Sequence, residues 1–140
     1  MKESRSKIKI PIYDSEIVLI LTDDVFASTK KVMKKNGQVD PNFTREKCAS
    51  AYTLYDDSDI GYYTIILPRK LDMFLLIHES QHTGNIILDH HEVIYDINNH
   101  DAFTYLVSFI GEHIYNKIVT LKWQWNPLGS LWLNGCYQRS

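Results

Sequence analysis

The sequence predicts an α+β fold, in which a small, mostly antiparallel sheet from the first half of the chain packs on two long helices from the second half. Two patterns support this prediction. Short β-branched segments separated by turn residues continue to about residue 67. Beyond that point, apolar residues recur at helical spacing over two long segments.

The first half of the chain contains four predicted strands and one helix. The strands cover residues 8–12, 16–21, 49–55 and 61–67, and the last two form a hairpin across an acidic turn. The helix covers residues 25–35, with Thr22 or Asp23 as its cap and Asn36-Gly37 as its stop. The strand at 61–67 is also a candidate sheet edge on which an extended peptide could lie.

Composition indicates one domain over residues 1–140 and argues against two classes of partner. The chain has 44% hydrophobic and 23% charged residues, with a net charge of −2. No overall basic field favours nucleic acid, and a basic cluster in the first helix is typical of a solvated face. The apolar stretches are too short to span a membrane, the N-terminus lacks a signal-peptide pattern, and the two cysteines form no C-x-x-C pair. We therefore expect a cytoplasmic protein.

The most informative motif is His78-Glu79-Ser80-Gln81-His82, an HExxH motif that follows the apolar residues 73–77. It lies in a predicted helix from about residue 70 or 71 to about residue 89. Residues four apart share a helix face, so His78 and His82 can bind one zinc ion. Glu79 lies close enough to that face to act as general base toward a water molecule that zinc activates.

A third metal ligand is expected from the second long helix, predicted over residues 101–118. Asp101 opens this helix, and antiparallel packing would bring its carboxylate back to the motif. His100 is the alternative, whereas Glu112 and His113 should lie too far along the helix. Tyr105, one turn beyond Asp101, is a candidate to polarise a substrate carbonyl or to pack in the core.

Two other features remain outside this site. His90 and His91 are expected to face solvent in the loop after the first long helix. Residues 120–140 form an aromatic-rich tail with three tryptophans. Such a tail can cover the core or bind a partner, since large aromatic side chains serve both purposes.

Two stretches of the chain resemble a known group of proteins. They are the HExxH motif with the Ile87-Leu88-Asp89 that follows it, and residues 99–106, which run from Asn99-His100-Asp101 to Leu106. These stretches resemble the small HExxH proteins of bacteriophages and prophages, described as zinc-dependent peptidases of minimal gluzincin type, with a zincin-like fold. The likeness covers roughly residues 50–118. It implies that Asp101 stands where that family has a glutamate ligand, a side chain one methylene longer.

The sequence therefore predicts a zinc-dependent hydrolase, most directly a peptidase acting on a peptide or protein substrate. Zn²⁺ would be held by His78, His82 and Asp101, with Glu79 as the base. An alternative is a phage protein that keeps the zinc scaffold without catalysis and binds or inhibits a host factor. Another amide hydrolase is a third possibility, because the same chemistry serves any acyl centre.

Overall fold

The computed structural model describes residues 2–56, 58–94, 96–98, 100–121 and 125–126. The six strands are β1 (Glu3–Ile10), β2 (Ser15–Thr22), β3 (Tyr52–Tyr55), β4 (Tyr62–Pro68), β5 (Leu71–Asp72) and β6 (Trp125–Asn126). The helices are α1 (Val25–Lys35), α2 (Met73–His90) and α3 (His100–Thr120). Short 3-10 turns occupy Pro11–Tyr13 and Arg45–Lys47.

The main sheet has four strands in the order β1-β2-β4-β3. The β1/β2 and β3/β4 pairs are antiparallel, whereas β2 and β4 run parallel. The expectation of an α+β fold is confirmed, but the sheet is mixed. The hairpin of the third and fourth strands is also confirmed, with Tyr52 opposite Ile66 and Tyr55 opposite Tyr63.

Strand β4 is not an edge of the sheet, so this prediction was wrong. It lies between β2 and β3, and β3 occupies the edge position. The error arises because β2 and β4 are separated in sequence by α1 and β3, and pairing between distant strands leaves no local pattern. A strand with apolar residues on both faces fits the centre of a sheet that helices cover on both sides.

Helices cover both faces of the sheet. On one face, Val32 of α1 packs against Ile20 and Ile66. On the other face, buried side chains of α2 and α3, including Ile87 and Ile110, join the larger core. Strand alternation explains the division, since neighbouring residues of a strand point to opposite faces.

Helices α1 and α2 begin at aspartate caps. The Asp24 side chain accepts a hydrogen bond of 3.1 Å from the Ala27 N–H, and the Asp72 side chain accepts one of 2.9 Å from the Leu75 N–H. These contacts satisfy N–H groups that have no partner within the first turn. The prediction of Thr22 or Asp23 as the first cap was therefore wrong by one or two residues.

Helices α2 and α3 pack antiparallel through two glycines. A Cβ atom at Gly84 would lie 3.0 Å from Cγ2 of Val107, and one at Gly111 would lie 3.7 Å from Oγ of Ser80. These two contacts set Gly84 level with Val107 and Ser80 level with Gly111. Among the described residues, no helix has the length and apolarity needed to cross a membrane.

Candidate metal centre

Helix α2 brings the two motif histidines together. Nε2 of His78 lies 3.0 Å from Nε2 of His82, and the rings meet edge to face at a centroid distance of 4.5 Å. Two nitrogens bound tetrahedrally to one zinc ion at 2.0–2.1 Å are separated by about 3.3 Å. The pair lies within hydrogen-bond distance, slightly closer than two zinc-bound nitrogens would be, and imidazole nitrogen is a donor that zinc binds.

Both histidines lie on the exposed side of α2. His78 also stacks on Phe74, one turn earlier, with ring centroids 5.4 Å apart and planes inclined by 24°. This contact restricts the orientation of one imidazole. An exposed position leaves room for a substrate to approach the pair.

Glu79 occupies a different environment from its two neighbours in the motif. It is only 4% exposed, and its Oε2 accepts a hydrogen bond of 2.6 Å from the Thr53 hydroxyl of β3. The Thr53 hydroxyl also lies 3.3 Å from the hydroxyl of Thr83, which in turn donates to the Glu79 carbonyl at 2.8 Å. These contacts fix the carboxylate beside the edge strand, one residue from His78.

Asp101 does not join the histidine pair in the structure. Its side chain is 85% exposed, and Oδ1 lies 3.6 Å from Nε2 of His100. The register set by the glycine contacts places Asp101 level with His90 of α2. His90 follows His82 by eight residues, so this position lies about 12 Å from His82 along the α2 axis, at 1.5 Å per residue. The third-ligand roles of Asp101 and His100 stay predictions.

The faces of α2 explain this separation. Ser80 and Gly84 are buried against α3. At 100° per residue, His78 and His82 lie on the opposite side of the helix from Ser80. Tyr105 is 77% exposed. Among the residues that the structure describes, no group of three or more His, Cys, Asp or Glu side chains gathers at one point.

The same register brings two other residues of α3 closer to the HExxH motif, measured along the α2 axis, than the sequence suggested. Glu112 and His113 of α3 lie level with Glu79 and His78 along the α2 axis. Nδ1 of His113 lies 2.8 Å from the carbonyl oxygen of Phe109, and the two rings stack at a centroid distance of 4.0 Å. The register of two helices is not a local property, so the spacing within α3 could not reveal it.

His90 is the last residue of α2, and the expectation that it faces solvent was wrong. It is half-buried, and Nδ1 lies 2.8 Å from the hydroxyl of the buried Tyr63. Burial raises the pKa of the Tyr63 phenol. The exposed position of His91 agrees with the prediction.

The sequence did not identify Thr53 as a partner of the motif. Its position in an alternating strand predicts only that it points to one face of the sheet. The prediction for residues 120–140 lies outside the described residues, apart from 120–121 and β6, which runs parallel to β5. Comparison with protein-family models, curated proteins and solved structures finds no match to this chain.

Proposed function

We propose that the protein is a zinc-dependent hydrolase that cleaves an amide bond, most directly a peptide bond. The observation that carries the proposal is the pair of imidazole nitrogens, His78 Nε2 and His82 Nε2, 3.0 Å apart on an open helix face. Glu79 supports it, since the carboxylate of an HExxH motif can act as general base toward a water molecule that zinc activates. The resemblance to small phage-encoded HExxH proteins supports the same function.

In this proposal His78 and His82 hold the metal through Nε2. Zinc, when bound, lowers the pKa of a water molecule and polarises a carbonyl group. Glu79 accepts a proton as the water oxygen forms its bond to the carbonyl carbon. It then delivers that proton to the nitrogen as the C–N bond breaks, so the products are a carboxylate and an amine. Thr53 holds the carboxylate in position through the hydrogen bond to Oε2.

The third ligand remains part of the proposal. Asp101 would supply it if the opening turn of α3 came to the histidine face of α2, as the resemblance implies. Two imidazoles without a third protein group hold zinc more weakly than a complete site does. Metal affinity is therefore the first quantity to measure.

A second function is favoured by the exposed positions of Asp101 and Tyr105, which are 85% exposed at the side chain and 77% exposed, respectively. Neither residue contributes to the histidine pair in the described arrangement. The protein would then bind zinc, or a host protein, without hydrolysis. In that case the Glu79–Thr53 hydrogen bond would serve only to attach α2 to the sheet.

One experiment separates the two functions. Purified protein is titrated with zinc and then assayed against a broad peptide library, alongside Glu79→Gln and Glu112→Gln. Glu112 is the matched control, an exposed glutamate of α3. A hydrolase loses at least about a hundredfold of its activity in Glu79→Gln, but not in Glu112→Gln. Cleavage that survives Glu79→Gln, or no cleavage by the zinc-loaded wild type, would contradict the proposal.

A further inference from the structure

An open groove with a volume of about 900 Å³ lies at the C-terminal end of α2. The end of α2, the segment that follows it and the last residue of β3 form its walls. The walls include Tyr55, Ile86, Asp89, His90, Glu92 and Val93.

The groove continues the helix face that carries the histidine pair. Asn85 and Ile86, which line it, follow His82 by three and four residues, and Asp89 follows it by seven. Residues at these spacings lie on one face of a helix, one above the other. A chain lying along this face would therefore contact both the histidine pair and the groove.

The charges of the groove are of one sign. Asp89 and Glu92 contribute carboxylates, and no lysine or arginine lines the walls among the residues that the structure describes. Neither carboxylate has an ion-pair partner within 4.0 Å among the described residues. Unpaired carboxylates at a concave surface attract a cationic group and repel an anionic one.

Apolar and aromatic side chains form most of the remaining walls. Ile86 and Val93 provide aliphatic surface, and Tyr55 meets the His90 ring edge to face at a centroid distance of 5.0 Å. The hydrogen bond between His90 Nδ1 and the Tyr63 hydroxyl holds that ring in place. Lysine and arginine combine an apolar stem with a cationic end, so their shape matches a groove of this composition.

We propose that this groove binds a basic side chain, lysine or arginine, of an extended peptide substrate. The inference rests on the proposed hydrolase function and names its substrate class. Asp89 lies about 10 Å along the helix axis from His82, at 1.5 Å per residue. An extended peptide covers that distance in about three residues. The basic residue therefore lies about three residues from the bond that is cleaved.

Binding is measured by fluorescence anisotropy with Glu79→Gln protein, which keeps the groove and does not turn over the peptide. The probes are three labelled octapeptides of glycine, alanine and leucine that differ at one position, which carries lysine, norleucine or glutamate. We expect the lysine peptide to bind at least about tenfold more tightly than the glutamate peptide at low salt, and the preference to shrink as salt screens it. Asp89→Asn/Glu92→Gln should remove the preference. Asp40→Asn/Glu46→Gln, a matched loss of two charges at exposed residues between α1 and β3 and outside the groove, should leave it unchanged.

Equal affinity for the three peptides would overturn the groove assignment, as would equal loss of the preference in Asp40→Asn/Glu46→Gln and in Asp89→Asn/Glu92→Gln. The measurement is repeated with a chelator, because the groove residues do not depend on zinc. A lysine preference that persists there, with no cleavage of the lysine peptide by zinc-loaded wild type, would overturn the hydrolase function and leave the groove as a binding site for basic peptides. Cleavage of the library without a lysine preference would support the hydrolase function and overturn the groove assignment.

Discussion

The hydroxyl of Thr53 donates a hydrogen bond of 2.6 Å to Oε2 of Glu79, which joins the edge strand of the sheet to the HExxH motif. Glu79 lies between two exposed histidines in the sequence, yet it is 4% exposed. A helix turn accounts for this difference, because successive residues are rotated by about 100°. The two histidines thus face solvent, while the Glu79 carboxylate is held by the sheet.

Thr53→Val tests whether this hydrogen bond positions the base. Hydrogen bonds to charged groups contribute about 1.5–3 kcal/mol. We expect activity to fall by about tenfold or more, with zinc affinity unchanged, because the Thr53 hydroxyl bonds Glu79, which is not a proposed ligand. Thr53→Ser, which keeps the hydroxyl, should retain most of the activity. Steady-state kinetics and a zinc titration on both variants check this, and a parallel loss of zinc affinity in Thr53→Val would contradict it.

Zinc binding is expected to depend on both motif histidines. His78→Ala or His82→Ala should weaken binding by at least about a hundredfold, since each removes half of the described donor pair. His91→Ala is the control, an exposed histidine at the other end of α2. Competition with a chromophoric chelator measures all three. If His78→Ala and His91→Ala lowered the zinc affinity equally, zinc would bind at another place.

The same titration decides the position of Asp101. In the described arrangement, its carboxylate lies on another helix, about 12 Å along the axis from His82. Asp101→Ala should then change zinc affinity by less than about threefold, and His100→Ala likewise. A loss of tenfold or more in Asp101→Ala alone would show that the opening turn of α3 comes to the histidine pair, as the family resemblance implies.

The features predicted correctly from the sequence are local ones. The apolar spacing predicted α2 to within about three residues at its start, where Asp72 is the cap. Four-residue spacing predicted that His78 and His82 share a face, and they do. The hairpin between β3 and β4 was predicted from two alternating segments around a short turn.

The features that were missed depend on contacts between distant segments. Because β2 pairs in parallel with β4, the edge strand is β3, whereas the sequence had suggested β4. The position of Asp101 relative to His82 depends on how α2 and α3 slide along each other. That register follows from close approach at Gly84 and Gly111, where there is no side chain to separate the helices. Neither property is encoded in spacing within one segment.

The two interface glycines should respond oppositely to substitution. Gly84→Leu introduces a side chain where even a Cβ atom meets Val107 at 3.0 Å, so we expect destabilisation by about 1–3 kcal/mol. At Gly111 the nearest atom is 3.7 Å away, and alanine favours the helix by up to about 1 kcal/mol. Gly111→Ala should therefore be neutral or stabilising. Urea unfolding of both variants measures these changes, and equal destabilisation would contradict the packing described above.

Acid should destabilise the fold partly through Glu3. Burial raises the pKa of this carboxyl, but hydrogen bonds from Ser28 at 2.7 Å and Arg5 at 2.8 Å outweigh burial and leave it below its usual value. A lowered pKa in the folded state stabilises the protein above the unfolded value, and this contribution is lost as the pH falls through the folded value. The window thus begins near pH 4.5 and extends downward.

Glu3→Gln should flatten this part of the pH dependence, because the amide does not titrate. The free energy of unfolding, measured in urea at pH 7 and at several values below pH 4.5, tests this. Glu112→Gln, at an exposed glutamate, is the control and should keep the slope of the wild type. A wild-type slope in Glu3→Gln would show that other carboxyls account for the acid sensitivity.

Helices α1 and α2 end in the same backbone motif with different residues. After α1, Gly37 has a φ of 70°, and the Gln38 N–H donates to the Met33 carbonyl at 2.8 Å. After α2, Glu92 has a φ of 57°, and the Val93 N–H donates to the Leu88 carbonyl at 2.9 Å. Such left-handed positions favour glycine. Glutamate at this position carries a conformational cost of about 1 kcal/mol.

This comparison predicts opposite effects on stability and on binding at Glu92. Glu92→Gly should stabilise the fold by up to about 1 kcal/mol, because it removes the strain of a side chain at a positive φ. It should also weaken binding of the lysine peptide, since it removes a groove carboxylate. Gly37→Ala is the reciprocal control: no atom lies within 4 Å of the added Cβ, so destabilisation by about 1 kcal/mol would report backbone conformation alone. Urea unfolding and peptide anisotropy are measured on both variants. If Glu92→Gly were stabilised and bound the lysine peptide as the wild type does, the carboxylate would have no part in the groove and Asp89 would have to account for its charge preference alone.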